Sequence, residues 1–157
     1  MWRAETNAAE NSLCQIRDAR LDQASYALGS AAMTVQRQRI GRTAEELVAT
    51  RLASRDWELL ERNARTRYGE LDIVALDGEA LVFVEVKAGR AGSAFGPERP
   101  VLSIDWRKQL RIRRLATAWM SERRGIRRYT SIRFDAVGVS FDRAGRVLNV
   151  EHIVGAF

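Results

Sequence analysis

The strongest constraint in this chain is a pair of apolar, β-branched segments between Gly69 and Lys87, with Asp77 and Gly78 between them. An Asp-Gly step between two such runs reads as the turn of a hairpin. Side chains alternate across a strand, so Glu70, Asp72, Val74 and Leu76 share one face of the first arm and Leu71, Ile73 and Ala75 the other. In the second arm Leu81, Phe83, Glu85 and Lys87 lie opposite Val82, Val84 and Val86. Apolar residues on both faces mean central strands covered from two sides, and helices are the elements that provide such cover.

The flanking sequence supplies them. Ala44, Leu47, Val48 and Leu52 recur at three- and four-residue spacing from Gly41 to about Arg55 or Asp56, which predicts an amphipathic helix. At 100° per residue Glu46 points away from that stripe, whereas Glu45 lies about 70° from its centre, at the shoulder where a carboxylate needs a partner. A short strand is predicted over Trp57 to Arg62. Residues 88–100, dense in glycine and proline, read as a mobile loop leaving directly from Lys87. A second helix is expected from Ser103 or Asp105 through Ile112, Leu115, Ala116 and Trp119 to Gly125. A strand over Ile132 to Val139 and another over Val147 to Ile153, joined at Asp142 to Arg146, complete an α-β-β-β-α-β order with a short coda. That order makes an α/β sandwich around a mixed central sheet flanked by helices. Residues 1–40 lack a legible strand or motif and read as a weakly ordered N-terminal extension with a helix around 8–28.

Composition narrows the function. The 157 residues, 46% hydrophobic and 29% charged, suit one globular core and exclude collagen-like, low-complexity and disordered classes. The lone Cys14 excludes a disulfide scaffold and a cysteine-based metal site. Glu5, Glu10, Asp18 and Asp22 argue against a secretory signal, and no run reaches membrane-spanning length, so a cytoplasmic protein without a membrane partner is expected. The net charge of +6 is unevenly placed: nine cations against two anions fall between Asp105 and Arg128. So concentrated a patch suits a polyanion such as nucleic acid, although a solvated helix face has the same composition.

The hairpin also carries the chemistry. If its loop is the four residues Asp77 to Ala80, Asp72 lies directly opposite Glu85 with Cβ atoms about 5 Å apart. A two-residue loop would pair them diagonally and a three-residue loop would separate their faces; the four-residue register is the one predicted. Two carboxylates so close in a mostly buried sheet need a cation or a shared proton. Hard oxygen ligands suit Mg²⁺ or Mn²⁺, while the single His152 and single Cys14 give no basis for zinc. Lys87, on the pleat face of Glu85, adds a compact ammonium in a chain with 24 arginines and two lysines. By spacing alone, Glu85 and Lys87 also fit a strand-end surface pair, but acids in strands otherwise apolar cost stability unless they serve a purpose.

Gly41-x-x-x-Glu45, Arg62-Asn63-x-Arg65, Gly69-Glu70-Leu71-Asp72, Leu81-Val82-Phe83-Val84-Glu85-Val86-Lys87, Lys108 before Leu115, Arg133-Phe134-Asp135 and His152-Ile153-x-x-Ala156-Phe157 together resemble the YraN-like family of predicted bacterial endonucleases. That family is similar in turn to archaeal Holliday-junction resolvases and to the PD-(D/E)XK superfamily. The resemblance covers residues 41–157 and implies a restriction-endonuclease-like nuclease domain, Mg²⁺ dependence and phosphodiester hydrolysis. It makes Asp72 and Glu85 metal ligands with the Val86 carbonyl, Lys87 the group that orients attacking water, and Glu45 a further ligand or water-holder. Glu70 would touch a second metal or stand solvated at the strand start. Leu71 replaces the proline common before the first acid of this superfamily.

Arg65, Arg67, Lys108 and Arg111 are the candidate phosphate contacts. Asp135 reads as a hydrogen-bonded structural acid, His152 as a packing or capping residue, and Trp57, Trp106 and Trp119 as core. The expected activity is Mg²⁺-dependent endonucleolytic cleavage of DNA, with branched or damaged DNA recognised by shape; the alternative is a nucleic-acid-binding or scaffold protein with this fold and no turnover. Junction cleavage would call for a homodimer, since two coordinated cuts need symmetric copies.

Overall fold

A computed structural model describes residues 33–91, 99–123, 125–126 and 128–157. The expectations for residues 1–32, for the loop segment 92–98, and for Arg124 and Arg127 of the basic patch lie outside the described residues. The chain divides into two units, Met1–Arg39 and Ile40–Phe157, and the second carries the sheet.

Five strands form one sheet in sequence order: β1 (Glu58–Thr66), β2 (Gly69–Asp77), β3 (Ala80–Arg90), β4 (Ser131–Phe141) and β5 (Val147–Ile153). Neighbours are antiparallel except β3 and β4, which run parallel and are therefore joined by a crossover. A 3-10 turn, Pro100–Ser103, and helix α2 (Trp106–Glu122) form that crossover; helix α1 occupies residues 33–53. The predicted mixed α/β fold with its α-β-β-β-α-β order is present.

Each sheet face has its own core. Ile112, Leu115, Ala116 and Trp119 of α2 pack with Val74, Leu76, Leu81, Phe83 and Ala136. Ala44, Val48, Ala49 and Leu52 of α1 pack with Ile73, Ala75, Val82, Val84, Val86, Val137 and Val139. The alternation along β2 and β3 thus divides the apolar residues between two helices, as a doubly covered sheet requires. Trp119 keeps its ring buried while its indole N–H donates to Glu61 at 2.8 Å, and Arg123 holds the same carboxylate at 2.9 and 3.0 Å, fastening the end of α2 to β1.

Four local expectations are corrected. Helix α1 does not begin at Gly41 but runs through it, because Met33 to Ile40 contain neither proline nor a stop signal. Leu71 packs with Val74 and Leu76 instead of with Ile73 and Ala75, so the alternation of β2 breaks at Asp72. Strand β3 continues past Lys87 to Arg90, since β4 offers partners through Phe141. Trp106 is 63% exposed, whereas Trp119 is 2% exposed. At the first position of α2, Trp106 lies about 130° from the centre of the buried stripe.

The start of α2 is fixed tightly. A Cβ on Gly89 would come within 2.7 Å of Pro100, and one on Gly138 within 3.1 Å of the Val101 nitrogen. Only glycine at these positions lets the 3-10 turn settle onto the sheet. Asp105 then caps the helix, its carboxylate accepting the Lys108 N–H at 2.8 Å.

Asp135, 0% exposed, anchors the C-terminal segment. It accepts from Arg133 Nε at 2.9 Å and from the Gly155 N–H at 2.9 Å, and pairs with His152 Nε2 at 2.9 Å. The structural reading of Asp135 and the packing reading of His152 agree with this network. Burial pushes the Asp135 carboxyl up, but His152, Arg133 and Gly155 outweigh it and hold the group below its usual 3.8. A depressed carboxyl stabilises the fold above its unfolded value, and that stability is lost as pH falls through the folded value. Asp135→Asn is therefore expected to cost about 3 kcal/mol at pH 7, with the deficit shrinking below pH 3.8; urea melts across pH check this.

Candidate active site

The β2–β3 ladder has the predicted register. Asp77 pairs with Ala80, Leu76 with Leu81 and Ile73 with Val84, so the loop is the two residues Gly78 and Glu79 instead of the four expected; because it closes inside Asp77–Ala80, the direct register is kept and the diagonal pairing expected of a two-residue loop does not arise. The next position would set Asp72 against Glu85, and there the ladder stops. On the other side, β1 pairs Arg62 with Ile73 and Ala64 with Leu71, passing over Asn63 opposite Asp72. Asp72 therefore stands where the β2–β3 ladder ends and where the β1–β2 ladder skips a single pair before resuming at Leu71. Its carboxylate fills the gap by accepting the Val86 N–H at 2.7 Å.

Glu85 is 3% exposed. Its Oε1 receives two ammonium groups, Lys87 at 2.5 Å and Lys108 at 3.0 Å. The sequence placed Lys87 here. It assigned Lys108 to gripping a substrate strand that passes the site, and the structure brings Lys108 from the first turn of α2 onto the Glu85 carboxylate itself.

Burial raises the Asp72 carboxyl most, and Glu85 and Glu45 add to it; the Val86 N–H and Lys87 only partly oppose them, leaving a pKa of about 7. Glu45, half-buried on α1 as its shoulder position predicts, is also pushed up, by burial first and then by Glu70. Glu46 is exposed. Glu45, Glu70, Asp72 and Glu85 thus act on one another electrostatically, with Arg62 and Arg42 opposing the rise at Glu45 and Lys87 opposing that at Asp72.

Asn63 was quoted in a motif but given no role. It adopts φ 49°, a left-handed conformation that Asn tolerates better than most residues. With its amide nitrogen between the two acids it reaches Glu45 Oε2 at 3.0 Å and Glu70 Oε1 at 3.2 Å. An asparagine inside a strand, where the residue is depleted, was the available signal.

The remaining cations gather beside the β1–β2 turn. Arg111 lies against Gly69, where an added Cβ would stand 3.0 Å from its guanidinium. Arg67 and Arg114 lie over the Tyr68 ring at 4.7 and 4.0 Å from its centroid. Arg65 is exposed on the adjoining strand. Arg65, Arg67 and Arg111 are thus on or beside the turn that leads into Asp72, and Tyr68 and Arg114 are the additions the sequence did not single out.

The family can now be settled. Residues 44–139 match the model described as "Uncharacterised protein family UPF0102". The chain belongs to the UPF0102 family. A UPF0102 protein of Moorella thermoacetica is 46% identical over 125 residues, covering 80% of this chain and 100% of the relative. One of Pelotomaculum thermopropionicum is 42% identical with the same coverage, and one of Frankia casuarinae is 45% identical over 118 residues, 75% of this chain and 95% of the relative. This is the YraN-like family that the motifs resemble, and the matched segment spans Glu45, Asp72, Glu85, Lys87 and Lys108.

Among the described residues no three carboxylate, imidazole or thiolate groups converge as a ready-made metal cage. What the site offers is a buried carboxylate, Glu85, beside a half-buried one, Asp72, and their oxygens are a donor set that fits a hard divalent ion completing its shell with water and phosphate oxygens. No helix among the described residues is long and apolar enough to cross a membrane.

Without metal, the raised Asp72 pKa means that the folded state binds this proton more tightly than the unfolded chain, so stability falls as pH rises from 3.8 toward 7. Asp72→Asn is expected to melt above the parent at pH 8 in EDTA, with the gain vanishing near pH 4; calorimetry at both values checks it.

Proposed function

We propose that this protein is a Mg²⁺- or Mn²⁺-dependent endonuclease that hydrolyses phosphodiester bonds in DNA, with branched or damaged DNA as its substrate class. The carrying observation is the adjacent pair Asp72 and Glu85 at the opening between β2 and β3, with ammonium groups on Glu85. Asp72 and Glu85 would hold the metal together with the Val86 carbonyl, while Glu45 serves as a further ligand or water-holder. Glu70, linked to Glu45 through Asn63, would touch a second ion. When bound, a divalent ion supplies positive charge to the scissile phosphate and acidifies water.

Lys87 orients the attacking water and stabilises charge developing on the phosphate. Its ammonium lies 2.5 Å from Glu85, a placement that suits electrostatic stabilisation better than proton abstraction. In the reaction a water oxygen bonds to phosphorus and loses a proton to solvent, one P–O ester bond breaks, and the departing oxygen takes up a proton from solvent. Arg65, Arg67 and Arg111 contact phosphates along the approach to Asp72, giving grip without reading sequence. Resolution of a four-way junction takes two cuts, so a symmetric pair of chains is the assembly that substrate would need.

End-labelled linear, nicked, flapped and four-way-junction DNA, incubated with EDTA, Mg²⁺ or Mn²⁺, tests the reading. Metal-dependent cleavage is expected to fall by about 100-fold or more in Asp72→Ala and Glu85→Gln. Equal cutting by the parent and both variants would reject the assignment, and metal-independent DNA binding with no cutting of any substrate would favour a binding protein.

A further inference from the structure

We propose that Lys108 is a second catalytic ammonium, which touches the phosphate undergoing hydrolysis and is not one of the backbone contacts of the basic helix. The inference rests on the nuclease reading above. It begins with one oxygen: Glu85 Oε1 accepts from Lys87 at 2.5 Å and from Lys108 at 3.0 Å. The two groups come from different elements, β3 and α2.

These are the only two lysines in a chain with 24 arginines. Had Lys108 been an ordinary phosphate contact, arginine would serve, and arginine is the residue the chain carries at the surrounding positions 107, 111, 113 and 114. A guanidinium is a broad planar fork. An ammonium is a compact point charge on a flexible stem that can leave a carboxylate and turn to a phosphate oxygen a short distance away. The chain departs from arginine only at the two cations that meet on the buried acid.

Burial separates Lys108 from its neighbours on α2. It is half-buried on the side of the helix that faces the sheet, while Arg107, Arg111, Arg113 and Arg114 are exposed. An ammonium drawn to the edge of a core is unfavourable unless a partner compensates it. Glu85 is that partner, yet Lys87 already sits on the same oxygen.

The scaffold also holds Lys108 in place. Close approach at Gly89 and Gly138 seats the 3-10 turn on the sheet, and the Asp105 cap receives the Lys108 N–H itself. With phosphate at the opening, its non-bridging oxygens offer Lys108 an acceptor in place of Glu85 Oε1. The charge that grows on those oxygens in the transition state then meets an ammonium on each side, Lys87 from the sheet and Lys108 from the helix.

The test compares Lys108→Arg and Lys108→Met with the parent in three measurements: single-turnover cleavage at saturating DNA, DNA affinity in EDTA, and Mn²⁺ affinity by paramagnetic resonance. Both variants are expected to lose cleavage by about 100-fold, with little change in DNA affinity. Lys108→Met is expected to bind Mn²⁺ more tightly, because one cation competing for Glu85 is gone. Lys108→Arg keeps the charge and settles the matter if the methionine variant does not fold. Cleavage by Lys108→Arg at the parent rate would overturn the proposal, as would weakened DNA binding with an unchanged saturated rate, or unchanged Mn²⁺ affinity in Lys108→Met. A parent that cuts no DNA with either metal rejects the nuclease reading itself, an outcome distinct from a parent that cuts and a Lys108→Arg variant that cuts equally well.

Discussion

The Asp72 carboxylate takes a backbone N–H that a strand partner would otherwise satisfy. Strand β2 pairs with β3 from Asp77 back to Ile73, and one residue earlier the two separate. The hydrogen bond from the Val86 N–H to Asp72 closes that end of the ladder with a side chain. A buried amide left without a partner would be costly, so this bond lets the sheet open without losing its core. Beside this end of the ladder Asn63 meets Glu45, and the first turn of α2 reaches Glu85.

Charge is divided between two regions with different physics. On the outer turns, arginines lie over Tyr68 and beside Gly69, exposed and suited to the diffuse field of a phosphate backbone. At the opening, Glu85 is buried against two ammoniums, burial pushes Asp72 and Glu45 up, and Arg62 and Arg42 oppose the rise at Glu45. The acids at the opening thus raise one another, while the arginines of the outer turns stand apart from them. The Asp135 network at the other face is balanced instead: its acid is matched by Arg133, His152 and a backbone amide, and it serves packing.

Much of this was legible from residue pattern. Alternation along Val82 to Val86 and along Ile73 to Leu76 predicted a doubly covered hairpin, and its register predicted that Asp72 would face Glu85. Glu45 could be placed at the shoulder of α1 because helical periodicity alone fixes that angle. Trp106 was misplaced because aromatic residues are usually buried, while the stripe that decides its exposure is set by Ile112, Leu115 and Trp119. Leu71 was misplaced because strict alternation holds only where a ladder is regular, and β2 is irregular at its next residue.

Local periodicity and side-chain chemistry are properties of neighbouring residues, so the sequence by itself determined the elements, the two-faced core, the acid pair and the lysine beside it. Contacts between residues far apart depend on how elements pack. Only the tertiary structure decided that Lys108, twenty-three positions beyond Glu85, would meet it on one oxygen, and that Asn63 would bridge Glu45 and Glu70. Those meetings depend on the separation of β2 from β3, the seat of the 3-10 turn on Gly89 and Gly138, and the left-handed turn of the backbone at Asn63. Each arises from packing and hydrogen-bond closure across the sheet, which no spacing along the chain encodes.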